Sequence, residues 1–138
     1  MIVDANIVVK WFVAEEDSDA ALALRLQGEL FAPDIVLIEY RNALLNKVRR
    51  QAISPDQARR AEREIDGVGI TILPSAPLLG DAFRLALDLR EPIYDCIYLA
   101  AAITSDRILV TADERFAAKV RKSAGSADRI KLLADLRT

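Results

Sequence analysis

Met1-Ile2-Val3-Asp4-Ala5-Asn6 is a short apolar run that ends on an acid. Such a run at a chain start reads as a buried strand, because a mobile terminus has no use for adjacent Ile and Val. Asp4 then falls where that strand stops and a helix over residues 6–13 begins. In an open α/β sheet, the carboxyl edge of the strands is where ligands bind. The simpler reading is that Asp4 caps the helix after it. One acid cannot decide between the two, so the question is whether others converge on it.

The 138 residues are 52% hydrophobic with a mean hydropathy of +0.15. That suits a single domain, residues 1–138, with a real core, and argues against disorder. No apolar run approaches the ~20 residues that span a bilayer, and the expectation is that no signal peptide precedes the first strand. The single cysteine, Cys96, cannot form an internal disulfide. It points to the cytoplasm and reads as a small buried hydrophobe. Histidine is absent altogether. Ser-His-Asp and Cys-His chemistry, histidine-pair RNA cleavage and the usual zinc sites are thereby excluded. Catalysis must run on carboxylates, hydroxyls, Lys, Arg or a hard cation held by oxygen.

A net charge of −2 and a pI near 5.2 look wrong for a nucleic-acid binder. The average hides a pattern. Basic residues outnumber acids from Arg41 to Arg63, Arg49 and Arg50 among them, and again from Arg115 to Arg137. Acids gather elsewhere, in Glu15-Glu16-Asp17 and Asp19. The basic segments are either a phosphate path or ordinary solvated helix surface.

Along the chain, the acids at 15–19 suit the start of a second helix over residues 20–30. Residues 30–32 form a brief strand candidate, and Pro33 opens a long helix over 34–51. Ser54-Pro55-Asp56-Gln57 is a capping box with Pro at the first helical position, and Gly67 is a stop. Strands are expected at 69–73, 107–111 and 130–133, and helices at 77–90, 94–104 and 113–122. Short apolar strands separated by helices imply a mostly parallel sheet covered on both faces, a three-layer α/β/α domain.

Three further acids stand out. Glu39 interrupts the run Ile35-Val36-Leu37-Ile38 on a helix whose Leu37, Leu44, Leu45 and Val48 read as core. It therefore sits off an ordinary wet face, though a helical Glu is commonly solvated. Asp95 is the only charge between Ile93 and Ser105. It is either a first-turn anion favoured by the helix dipole, or a carboxylate at a cavity or metal. Asp113 follows a strand ending at Thr111, yet Thr111-Ala112-Asp113-Glu114 also reads as a capping box. Together the acids occupy two strand ends, one buried helix start and one core-leaning helix face. In a chain without histidine, that set suits Mg²⁺ or Mn²⁺.

The sequence resembles the PIN-domain family, and within it the VapC-type toxin ribonucleases of toxin–antitoxin modules. The resemblance rests on Ile2-Val3-Asp4-Ala5-Asn6, on Ala32-Pro33-Asp34 leading to Glu39 and Asn42, on Tyr94-Asp95-Cys96-Ile97-Tyr98-Leu99-Ala100, and on Val110-Thr111-Ala112-Asp113-Glu114-Arg115-Phe116. Asn6 departs from the Ser or Thr more usual at its position. The resemblance implies a five-stranded parallel sheet with the first strand central, beside the one that ends at Thr111. It implies Mg²⁺- or Mn²⁺-dependent endonucleolytic RNA cleavage, a homodimer, and neutralisation by a cognate VapB-type antitoxin. Asp4, Glu39, Asp95 and Asp113 would form the catalytic and metal set, with Asn6, Asn42 and Thr111 orienting carboxylates or waters. Arg49, Arg50 and Arg115 are candidates for RNA phosphates. A DNase or phosphatase using the same acids, and a non-catalytic interaction module, are the competing readings.

Overall fold

The computed structural model describes residues 1–123 and 125–136, so Arg137 of the second basic segment lies outside the described residues. The strands are β1 (Ile2–Val3), β2 (Phe31–Pro33), β3 (Thr71–Leu73), β4 (Leu109–Thr111) and β5 (Ile130–Leu132). The helices are α1 (Ala5–Phe12), α2 (Ser18–Leu24), α3 (Val36–Arg49), α4 (Pro55–Glu64), α5 (Leu79–Leu89), α6 (Ile93–Thr104) and α7 (Glu114–Arg121).

Apolar at both positions, β1 is fully buried and takes the centre of an all-parallel sheet ordered β3-β2-β1-β4-β5. Ile2 pairs with Phe31 on one side and Leu109 on the other, and Val3 pairs with Val110. The chain therefore leaves β1 toward β2 and returns on its other side as β4. That reversal opens a crevice at the carboxyl ends of the two strands, where Asp4 and Asp113 follow β1 and β4.

On one side, α1 gathers α2 and α3, and α4 packs onto α3; on the other, α6 lies across β2, β1 and β4 with α5 against it. Because α6 is covered from both directions, its apolar residues Cys96 to Ala102 are all buried. This is the three-layer α/β/α arrangement the alternation of strands and helices implies.

Some boundaries differ from the sequence reading. Pro33 does not open α3; it closes β2, in register with Leu73, and α3 starts at Val36. Asp34 instead accepts the Ser75 N–H at 3.2 Å, and Ser75 Oγ accepts the Ile35 N–H. The intervening turn is thus fixed by the loop after β3. Along α3 the buried row is Val36, Tyr40 and Leu44, spaced four apart. Leu37 and Val48 are half-buried, while Leu45 is exposed. α4 keeps its capping box, with Ser54 Oγ accepting the Gln57 N–H and Gln57 returning to the Ser54 N–H.

Candidate functional site

Hydrogen bonds tie the crevice together at the ends of β1 and β4. Asp4 Oδ1 accepts the Ile7 N–H at 3.0 Å, so the helix-capping reading of Asp4 is correct. Its other oxygen is used as well: Thr111 donates its hydroxyl to Asp4 Oδ2 at 2.7 Å. Thr111 Oγ1 in turn accepts the Asp113 N–H at 3.1 Å. Asp113, expected in the first turn of its helix, is the N-cap itself, accepting the Phe116 N–H at 2.9 Å. The helix starts at Glu114, too late for Thr111 to be its cap, so the Thr111 capping box does not form.

Asp95 enters from the first turn of α6 and Glu39 from the first turn of α3. Burial lifts the Asp4 carboxyl to about 6 against the hydrogen bonds of Thr111 and Ile7, with the charges of Glu39 and Asp113 pushing the same way. Asp95 is lifted to about 6 by burial and by Glu39, Asp113 and Asp4. The four acids thus share one field. Among the described residues none of them makes an ion pair. Nor are any three acidic side chains drawn into a ready-made cage for an ion. The Tyr98 hydroxyl is buried close to Glu39 and the Ala5 backbone, with neither aligned for a regular hydrogen bond. Burial and the neighbouring Glu39 charge push it well above the ordinary phenol range. Cys96 is buried, as expected of a small hydrophobe, and its thiol is pushed up to about 12 by burial.

Asn6 is exposed on α1, at the rim of a groove of ≈ 440 Å³ that Asp113 and Arg50 also line. Asn42 is exposed on α3, three residues after Glu39, and Arg49 is exposed at the end of that helix. Arg115 is differently placed. Its two terminal nitrogens grip both oxygens of Glu91 at 2.5 and 3.0 Å, and Lys119 adds a third contact at 2.9 Å. Glu91 is 1% exposed at its side chain, and these cations hold its carboxyl below the usual range. Glu91 and Lys10 are missing from the sequence reading, and Glu15 and Lys47, in the groove beside Asp113, enter it only as members of an acidic run and a basic segment. Lys10 carries the same signal as Asp95, a lone charge in an apolar run. Glu91 has no comparable mark, since its partners lie some two dozen residues away.

The family model for the PIN domain matches residues 1–122. Ribonuclease VapC3 from Pyrobaculum aerophilum is 31% identical over 122 residues, spanning 86% of this chain and 93% of that protein. Among solved structures, PAE2754 from Pyrobaculum aerophilum matches with a TM-score of 0.70 at 22% identity, over 98% of this chain and 90% of that one. A toxin–antitoxin complex from Klebsiella pneumoniae contains a chain that matches with a TM-score of 0.63 at 15% identity, over 96% of each. VapBC2 from Rickettsia felis, bound to a promoter DNA fragment, matches with a TM-score of 0.62 at 14% identity, over 95% of this chain and 96% of that one. The solved structures share the fold, and with the family model and the VapC3 relative both spanning most of its length, the chain belongs to the PIN-domain family.

Proposed function

We propose that this protein is a cytoplasmic, Mg²⁺- or Mn²⁺-dependent endoribonuclease, the toxin of a VapBC-type toxin–antitoxin module, working as one domain over its whole length. The observation that carries the reading is the unpaired acid cluster at the sheet's switch point, in a family whose VapC3 member is named a ribonuclease. The donor set fits a hard divalent cation: carboxylate oxygens only, mutually repelling, ion-paired with no cation among the described residues, and with only the more distant charge of Arg115 acting on Asp113 and Asp95. Mg²⁺ keeps much of its water shell and binds through one or two carboxylates plus substrate phosphate, so a cage closed in advance is not required.

Asp4, Glu39 and Asp95 would hold the ion, directly or through its waters, with Asp113 completing the cluster. When bound, such an ion polarises a phosphate oxygen and lowers the pKa of water. Thr111 fixes the orientation of Asp4 and links it to Asp113. Asn6 and Asn42, exposed on α1 and α3, can orient further waters, and Arg49, Arg50 and Arg115 remain the candidate contacts to RNA phosphates.

Two of the structural neighbours are toxin–antitoxin assemblies, which supports a VapB-type partner. So does the ≈ 600 Å³ groove between α3 and α4, lined by Leu44, Leu45, Val48 and Ala58. Leu79, Phe83 and Leu87 form an exposed apolar row on α5, which supports a homodimer. No helix among the described residues is long and apolar enough to cross a membrane.

The test compares structured cellular RNA, DNA of matched sequence and a small phosphate ester as substrates, with Mg²⁺, Mn²⁺ or excess EDTA. RNA is expected to be cut internally with metal alone, and Asp95→Asn to abolish the cut. Cleavage that persists in EDTA removes the mechanism. Preference for DNA or the small ester replaces the substrate class, and no turnover with any metal leaves the interaction module.

A further inference from the structure

Beside the acid cluster, the groove lined by Asn6, Lys10, Glu15, Lys47, Arg50 and Asp113 holds a second charged device. Lys10 of α1 and Lys47 of α3 both reach Glu15, in the loop after α1, at 3.3 and 2.5 Å. Lys10 also donates to the Glu16 carbonyl at 2.8 Å. These are not waving surface lysines: their side chains are only 12% and 15% exposed. Arg50, at the end of α3, lines the same groove and pairs with no acid among the described residues. Three cations thus face two acids in a trough that begins at Asp113.

A strand whose cleaved phosphate lies at the acids must leave over an adjacent surface, and this trough is contiguous with them. Lysines already held in place bind phosphate without the entropy cost of ordering long side chains. Glu15 lies where a phosphate oxygen would lie, between two ammonium groups. It is an anion of the protein's own, filling the position in the absence of substrate. We propose that this groove is a phosphate subsite for the RNA strand beside the cleaved bond, and that Glu15 is its resident counter-anion, lowering affinity for the strand. The inference rests on the endoribonuclease reading above. It makes a prediction of unusual sign, in which removing an acid outside the metal set tightens RNA binding.

The experiment measures anisotropy of a short fluorescein-labelled single-stranded RNA of mixed sequence, in EDTA so that nothing turns over, across a salt series. Glu15→Gln is expected to bind about 3–10-fold tighter at low salt, with the slope of log affinity against log salt steeper by ~0.7, one added phosphate contact on a single strand. Arg50→Gln is expected to bind more weakly, with a correspondingly shallower slope. Arg84→Gln, on α5 and paired with Asp81, removes the same charge elsewhere and is expected to change neither. If Glu15 serves only to tie α1 to α3, Glu15→Gln melts lower and binds RNA no better, which overturns the proposal. Should Glu15→Gln fail to fold, Arg50→Gln decides: unchanged affinity and slope overturn it, weaker binding upholds it. Wild type that cuts RNA while the groove variants bind unchanged sinks the groove alone. Wild type that neither binds nor cuts RNA removes the functional reading, and this one with it.

Discussion

Asp4 and Asp95 are the same residue type with opposite attachments. Both oxygens of Asp4 are bonded within the protein, one as a helix cap and one to Thr111. The Asp95 carboxylate accepts no hydrogen bond from the described residues and feels the charges of Glu39, Asp113, Asp4 and, most weakly, Glu91. Asp4→Ala should therefore destabilise the metal-free protein by about 2 kcal/mol, from the lost cap and the orphaned Thr111 hydroxyl. Asp95→Asn should leave metal-free stability unchanged or raise it, although both variants lose activity; urea unfolding in EDTA separates them. The pH dependence has a definite sign. Both carboxyls sit near 6 in the folded protein, against ~3.9 for an unfolded aspartate. Between those values the folded state binds more protons than the unfolded one. Their favourable contribution is therefore complete below pH ~4 and lost as pH rises through ~6. Glu91 acts the other way: its stabilisation is complete above the ordinary carboxylate range and is lost as pH falls through that range toward its lowered folded value. In EDTA the protein should be more stable at about pH 5 than at about pH 7.5, by of the order of 1 kcal/mol, and Asp95→Asn should flatten the difference. A midpoint that rises with pH over this window would contradict the shared field.

Among the elements, what could be read in advance depended on whether the cause was local. α4 was legible from Ser54-Pro55-Asp56-Gln57 because a capping box is complete within four residues. α6 was legible because an all-round apolar helix can only be buried, and Asp95 stood out against it. Pro33 misled because its local preference for a helix start yields to pairing of β2 with β3, a contact between residues 33 and 73. The role of Arg115 escaped for the same reason. Glu91, in the turn before α6, pins α7 through Arg115 and Lys119, and Lys119 also donates to the carbonyls of Leu89 and Arg90. Removing the buried acid should loosen α7 from the end of α5. Glu91→Ala is expected to cost about 2 kcal/mol, less than a fully buried pair because the Arg115 side chain is 63% exposed and can return to water. Hydrogen exchange in α7 checks it: protection should fall there first, and uniform loss across the sheet would argue against a local clamp.

For the whole molecule, the order of the sheet was legible only through the resemblance, since periodicity finds strands and not their neighbours. That β1 lies between β2 and β4 explains why acids at opposite ends of the sequence share one crevice. If the cluster binds a divalent ion in the folded state alone, Mn²⁺ at about 100 times its dissociation constant should add about 2.7 kcal/mol to stability. Calorimetry with Mn²⁺ and with EDTA should show the midpoint rising, and Asp95→Asn should lose most of the response. The hydrogen bond from Thr111 to Asp4 spans 107 positions of sequence. A growing chain makes one of its ends at the very start of synthesis and the other near the finish. At about 5–20 residues per second, on the order of 5–20 s separate Asp4 from Asp113 at the ribosome. Throughout that interval β1 has no β4 to pair with and the crevice has only one wall. On the endoribonuclease reading, the nascent chain should therefore stay inactive until β4 has emerged, and a fragment that ends before Thr111 should cut no RNA.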